Sequence, residues 1–431
     1  MKRIVIFTLA VCLPAFGART LSMREAVELA ARLNPDAQIA ALRTLEAEAS
    51  ERIAASAYRP QLSALIASAY QTNNLQGIGL VIPGFTDRIG PFRTFNARPA
   101  LTQTVFDMSL VSTIRAARAR TEESRYEAAA VRQETQLAVL QLYLKALQAE
   151  STIRAAEARM AAAAASLQQA QDREGTGTSS RLDVVRAEEQ YEGERSIVIS
   201  ARRDAAIAKT MIARTIGLED TDFELVPESV PLNIEEPSAE ALIRDAKEVR
   251  PEFKALQARL RASEYERQRA ERERWPKLTV SGDYGLLGRG PDQSLSTYVA
   301  GASITFPLWT SGRLTAEASA ARLQADRVKQ QIRDLDLKVA QEVRESLLEM
   351  EAARDALNAA SRGAAAAREA LELSRLRYSE GLATSLDPIV AQSILAQAED
   401  REIRARYDYL LARAKLARAR GDIMLFFDGD N

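Results

Sequence analysis

Two aspartates stand in matching places in this chain. Asp183 closes the run Gly177…Leu182-Asp183, and Asp387 closes Gly381…Leu386-Asp387, 204 residues further on. Each lies in a glycine-containing turn between two stretches of helical pattern. A carboxylate there can accept hydrogen bonds from the unpaired amides that open a helix. Asp387, followed by Pro388, reads as an N-cap with proline in the first helical position, and Asp183 as its counterpart. It can also present charge to whatever passes the turn. Arg173, Arg181, Arg375, Arg377, Tyr378 and Glu380 flank the two turns. The arginines suit the negative ends of helix dipoles, inter-helix salt bridges, or a docking partner.

Covalent and metal chemistry find little to work with. The chain has no histidine, and its single cysteine is Cys12. That excludes His-dependent triads, thiol nucleophiles beyond Cys12 and cysteine–histidine metal sites. Gly175-x-Gly177 sits in a helix–helix turn rather than after a strand, which argues against a phosphate loop. Glu188-Glu189 have basic neighbours on a helix and read as a solvated face. No enzyme, metal or cofactor is expected. With 58 basic and 59 acidic residues the formal charge is -1, so nucleic acid is not an expected partner.

The turns need long elements to position them. Ser109 to Arg173 contains neither proline nor glycine, and as one helix it would span roughly 98 Å. Val139, Leu142, Ala146, Ala149, Ile153, Ala156, Met160 and Ala163 follow a 3,4 spacing, the seam of a left-handed supercoil. Ser311 to Ser379 repeats the pattern. A return helix follows each turn and ends at Gly217 or Gly421; Val184, Ala187, Tyr191, Val198 and Ala201 form the first one's seam.

Ahead of each hairpin the period changes. Leu278, Val280, Gly282 and Tyr284 alternate with Thr279, Ser281 and Asp283, which predicts a strand with one apolar and one polar face. The expected strands are about 62–72, 95–106, 278–286 and 295–308. Gly77–Thr94 reads as a long loop between the first two. Each strand pair is preceded by two short helices: Leu21–Leu33 and Asp36–Ala57 in the first copy, Ser238–Val249 and Glu252–Arg274 in the second. Ser22 and Ser238 are their expected N-caps, and Pro35 and Pro251 interrupt the helical pattern.

The whole arrangement therefore occurs twice. Asn34-Pro35-Asp36 recurs as Arg250-Pro251-Glu252, and Tyr58-Arg59-Pro60-Gln61-Leu62 as Arg274-Trp275-Pro276-Lys277-Leu278. The expected organisation is a signal peptide over 1–17, a first repeat over 18–217, a linker over 218–237, a second repeat over 238–421 and a tail over 422–431. The signal peptide reading rests on Lys2-Arg3, the apolar run Ile4–Leu13 and the small-residue site Ala15-Phe16-Gly17. Val11 before Cys12 argues against lipidation there. The fold class is mainly α with a small β part: two repeats, long coiled-coil hairpins and four strands. An open sheet does not survive in a bilayer, so several chains must share a barrel, with eight strands from two chains or twelve from three.

The order helix, strand, strand, long helix, turn, helix resembles the TolC-like outer-membrane efflux protein family. The resemblance covers Leu21 to about Gly421 and rests on the paired Asn-Pro and Arg-Pro segments, the Pro-x-Leu strand starts and the Gly…Leu-Asp turns. It implies a homotrimer with a shared 12-stranded outer-membrane β-barrel and a tunnel of helices across the periplasm. It implies partners: a periplasmic adaptor, an inner-membrane transporter driven by protons or ATP, and outer-membrane lipid. Threefold symmetry would turn an inward Asp387 into a ring of three carboxylates, which attracts cations. Asp387 aligns with an acidic position of the family's tunnel entrance. Val390 stands where some members carry a second acid, so Asp387 and Glu380 would bear any selectivity. Asp183, Arg181, Arg375, Arg377 and Tyr378 complete the gating candidates, and Gly177, Thr178, Ser179, Gly381, Leu382 and Thr384 are the adaptor-contact candidates by the same resemblance. Trp275 and Trp309, at the lower ends of the second copy's strands, suit an interfacial aromatic girdle or core packing. The resulting reading is a passive exit duct for efflux or type I secretion. The second reading is a periplasmic coiled-coil adaptor or scaffold without a barrel.

Overall fold

The computed structural model describes residues 19–75, 77, 79, 88–178, 180–227, 238–380, 382–384 and 386–427. The expected signal peptide, with Cys12, lies outside the described residues. The elements run β1 (Arg19–Leu21), α1 (Met23–Leu33), α2 (Pro35–Ser56), β2 (Gln61–Asn74), β3 (Arg88–Phe106), α3 (Met108–Gly175) and α4 (Arg181–Ile216). After β4 (Phe223–Leu225) come α5 (Ala239–Val249), α6 (Pro251–Arg272), β5 (Lys277–Gly288), β6 (Ser294–Thr305), α7 (Arg313–Ser379) and α8 (Leu386–Arg420). The chain is mostly helical and repeats one helix/strand order twice.

The short helices begin where local chemistry makes them begin. The Ser22 hydroxyl accepts from the Glu25 amide at 3.2 Å and caps α1. Ser238 holds the equivalent place before α5 but makes no side-chain cap bond, which departs from expectation. Pro35 and Pro251 open α2 and α6, where the missing N–H costs no hydrogen bond. Asn34 satisfies the next amides of that turn: its Oδ1 accepts from the Asp36 and Ala37 amides at 2.7 and 3.1 Å.

The chain divides into two compact units, and α2, α3 and α7 contribute residues to both. The first unit is built from the described residues within 19–39, 129–250 and 337–427. Its core joins Val27 of α1, Leu140 and Leu144 of α3, Ile212 and Ile216 of α4, and Ala414 of α8. Each fully buried Leu or Ile there contributes about 1.5–3 kcal/mol. Every α3 seam position from Val139 to Ala163 is buried or half-buried. Leu21 corrects the sequence reading: it belongs to β1, not to the first helix. β1 pairs in parallel with β4, which lies inside the expected linker. The Tyr143 hydroxyl, fully buried, bonds the Leu21 and Val226 carbonyls at 2.6 and 3.0 Å and accepts from the Val226 amide at 3.0 Å.

The second unit, Ala40–Ala128 with Pro251–Asp336, holds a four-stranded antiparallel sheet in the order β2-β3-β5-β6. β3 starts at Arg88, ahead of the expected start at 95, because Arg88 and Ile89 already pair with Asn74 and Asn73. Register and strand alternation separate two faces. One carries Leu62, Ile66, Leu101, Val280, Tyr284 and Ile304; the other carries Gln61, Ser63, Thr102, Thr279, Ser281 and Ser303. In the same unit, ion pairs link α2 to α3 through Arg125–Glu48 at 2.8 Å, and α3 to α6 through Arg120–Glu266 at 3.0 Å. Among the described residues no helix is long and apolar enough to cross a membrane.

Candidate functional site at the helical turns

Both long helices end with a corresponding backbone bond that reaches five residues back. At the end of α3, Gly177 adopts φ 72°, the Thr178 amide donates to the Arg173 carbonyl at 2.9 Å, and the Gly177 amide donates to Glu174 at 2.9 Å. This is a Schellman closure, which a residue with a Cβ fits poorly. At the end of α7, the Leu382 amide donates to the Arg377 carbonyl at 2.8 Å, the corresponding bond. Ser179 and Gly381, both adaptor-contact candidates, lie outside the described residues.

The return helices correct the expected role of the aspartates. Asp183 and Asp387 are not N-caps; each sits inside the first turn. Ser180 is the N-cap of α4, and its hydroxyl accepts from the Asp183 amide at 3.3 Å while Asp183 Oδ2 accepts from the Ser180 amide at 3.1 Å. In the second copy, Asp387 Oδ2 accepts from the Thr384 amide and hydroxyl, both at 2.7 Å. The first is a capping box with Asp in the position usually held by Glu; the second keeps the carboxylate half of it. The signal was present as Ser180-x-x-Asp183 and Thr384-x-x-Asp387. Pro388 therefore follows the start of α8 rather than opening it, still within the turn whose amides lack helical partners.

Asp387 is fully exposed. The Thr384 hydroxyl and amide, helped by the Arg377 charge, hold its carboxyl below the usual carboxylate range. It stays ionised at neutral pH, so it brings one negative charge to the turn.

Some gating candidates come together and others stay apart. Arg173, Asp183, Arg375, Tyr378 and Pro388 line one cleft of about 330 Å³ between the two turns. Arg173 Nη1 donates to the Tyr378 hydroxyl at 3.0 Å, and its guanidinium lies 5.8 Å from the centre of that ring. This bond joins the end of α3 to the end of α7. Arg375 pairs with Glu372 at 3.2 Å and donates to Gln392 of α8 at 3.0 Å. Arg181 lies 3.7 Å from Glu174 across its own turn. Glu380 and Arg377 are exposed and do not line the cleft. Leu182, Leu382 and Leu386 present an exposed apolar set around the turns, beside exposed Gly177, Thr178 and Thr384.

A charged centre was missed. Arg159 of α3 is buried, its side chain 6% exposed. Its Nε donates to Glu194 of α4 at 3.0 Å, and its Nη1 faces Asp400 and Glu399 of α8 at 3.4 and 3.8 Å. Arg368 of α7 meets Glu399 and Glu402 at 3.5 and 3.3 Å, so four helices meet through one ionic network. Glu194 occupies the seam position between Tyr191 and Val198, which an apolar count passes over.

Trp275 and Trp309 are both exposed, Trp309 to 86%. They stand just before β5 and just after β6. Among the described residues no group of three or more His, Cys, Asp or Glu is placed to hold a metal ion.

Duplicated helical hairpins, with a four-stranded sheet that has one apolar and one polar face, define a class of mainly helical repeat proteins with a small β part. Residues 26–218 and 242–422 match the outer membrane efflux protein family. The chain belongs to that family, and with it to the outer-membrane channels that serve efflux and secretion. It is 24% identical over 314 residues to outer membrane protein TolC of Vibrio cholerae, covering 71% of each chain. It is 26% identical over 332 residues to the alkaline protease secretion protein AprF of Pseudomonas aeruginosa, covering 74% of this chain and 67% of that one. The fold matches the crystal structure of a membrane protein from Pseudomonas aeruginosa with a TM-score of 0.80 at 21% identity, over 93% of both chains.

Proposed function

We propose that three copies of this chain close a twelve-stranded barrel in the outer membrane and continue it as a helical tunnel, forming the passive exit duct of a tripartite efflux or type I secretion system. The observation that carries this reading is the sheet β2-β3-β5-β6. Among the described residues its two edge strands, β2 and β6, pair on one side only, and one of its faces is apolar. A bilayer does not tolerate open strand edges, and a family of outer-membrane channels supplies the setting in which other copies satisfy them.

The repeats make six similar units from three chains. Residues 18–217 and 238–421 act as the two repeats, and 218–237 joins them. The paired turns form the periplasmic tip. Asp387 places three carboxylates around its mouth, and Arg173 with Tyr378 ties the hairpin ends in the closed tip. The exposed leucines and small residues of the turns meet a periplasmic adaptor. Trp275 and Trp309 sit at the periplasmic lipid interface. Energy comes from an inner-membrane transporter, proton-driven or ABC-type. An adaptor or scaffold without a barrel leaves the apolar sheet face without a role.

The test is conductance in planar lipid bilayers with the detergent-purified protein. The duct gives trimeric particles and pores, and Asp387→Asn with Arg377→Gln changes the conductance or ion selectivity of the tip. A soluble monomer without pores overturns the duct. Pores indifferent to both substitutions overturn the tip assignment.

A further inference from the structure

The polar face of the sheet carries one charged pair in its middle. Arg98 Nη1 lies 3.1 Å from Asp283 Oδ1, joining β3 of the first repeat to β5 of the second. The site is built to hold this arginine. Asn96 Oδ1 accepts from Arg98 Nε at 2.7 Å. Across the strand pair, Gly285 leaves room for the arginine stem: a Cβ there would stand 2.6 Å from Arg98 Cγ and 2.2 Å from the Ala97 carbonyl. Thr297, paired with Gly285 on β6, keeps a buried hydroxyl without a hydrogen-bond partner beside it. The side chains of Arg98 and Asp283 remain 23% and 28% exposed, within reach of solvent.

An arginine at mid-strand on a lipid-facing surface costs about 2–4 kcal/mol. The pair belongs with Ser281, Thr279 and Ser303 on the polar face, so in a closed barrel it looks into the lumen. Three protomers then place three arginines and three aspartates around the channel. Charged rings in a pore set which ions pass. Here each charge is matched by its neighbour, which cancels most of the field a lone ring would project.

We propose that the Arg98–Asp283 pairs form the charge filter of the barrel lumen and hold it close to neutral, so that cationic and anionic cargo both pass. This rests on the trimeric duct proposed above. It adds specificity-determining residues far in sequence from the turns.

The experiment compares reversal potentials of single pores in planar bilayers under a potassium chloride gradient. Asp283→Asn uncovers three arginines and shifts the reversal potential toward chloride. Arg98→Gln uncovers three aspartates and shifts it toward potassium. The double variant returns it to the wild-type value, as does the charge swap Arg98→Asp with Asp283→Arg. A second arm needs neither charge removed. Ser281→Cys, on the same face two residues from Asp283, takes a cationic methanethiosulfonate and moves the potential toward chloride. Unchanged potentials in both single variants, or in labelled Ser281→Cys, overturn the filter while pores that form as expected leave the duct standing. A wild-type chain that forms no pores overturns the duct and the filter with it.

Discussion

Arg159 and Glu194 lock the first hairpin, whereas Gly363 and Ala398 stand in the same positions of the second, 204 residues on. The two hairpins share one seam and one pair of capped turns, so the difference is local. Between α3 and α4 a buried guanidinium meets a buried carboxylate. Between α7 and α8 the same level is packed by Ala364, Ala367 and Ala398. The charged centre also reaches out of its own hairpin, because Arg159 faces Asp400 and Glu399 of α8. Nothing at Gly363 reaches back: a Cβ built there meets no atom within 4 Å. Duplication supplied two equal frames, and divergence at one seam level made the first hold the second.

The largest effect should come from removing that hold. Arg159→Ala leaves Glu194 buried without its partner, and losing one member of a buried pair costs about 3–5 kcal/mol. Arg368→Ala, which breaks only half-exposed pairs, should cost no more than about 1 kcal/mol. Denaturant unfolding of the purified protein in detergent measures both. Equal losses would remove the distinction between the hairpins.

Tyr143 sharpens the comparison at another level, since the second copy has half-buried Leu347 in its place. Tyr143→Phe removes the hydroxyl's bonds to Leu21 and Val226 while the Val226 amide keeps its bond to the Leu21 carbonyl, at about 0.5–1.5 kcal/mol. Amide exchange at Val226 should rise; an unchanged rate would mean the tyrosine does not pin β1 against β4.

The turns, by contrast, should respond alike. Ser180→Ala removes a cap, worth about 1 kcal/mol, Thr384→Ala removes the hydroxyl bond to Asp387, and each should fray only its own return helix. Asp387 adds a pH dependence of known sign. Its carboxyl titrates below the unfolded value, so its contribution is full above the ordinary carboxylate pKa of about 3.9 and is lost as pH falls through the lower folded value. Exchange at the Thr384 amide, followed down in pH, checks this: loss of protection beginning well above that range would contradict the cap. The smallest change is Gly363→Ala, which meets no clash and should stabilise α7 by about 0.5–1 kcal/mol.

The residues that sequence reading placed well are those with long repetition behind them. The α3 seam and the β5 alternation each extend over many residues, so a single stray residue does not hide the period. β1 and β4 have three residues each and no period to find. The aspartates of the turns were placed in the right turn but given the wrong position, because a cap depends on where the first helical residue falls. Ser180 and Thr384, three residues earlier, decide it. Glu194 and Arg98 were missed for a common reason. Each is a charge on an otherwise uniform face, and its meaning comes from a partner distant in sequence: Arg159 for the one, Asp283 for the other.

The central claim is that the free edges of β2 and β6 close on each other between protomers. Disulfide trapping tests it directly, with one cysteine at Leu62, Ala64 or Ile66 and one at Ala300, Ala302 or Ile304, all on the apolar face. Oxidation in outer membranes should give at least one pair that runs as a covalent trimer on non-reducing gels. Bonds formed only within single chains, or no bond at any pair, would contradict a barrel shared among three chains.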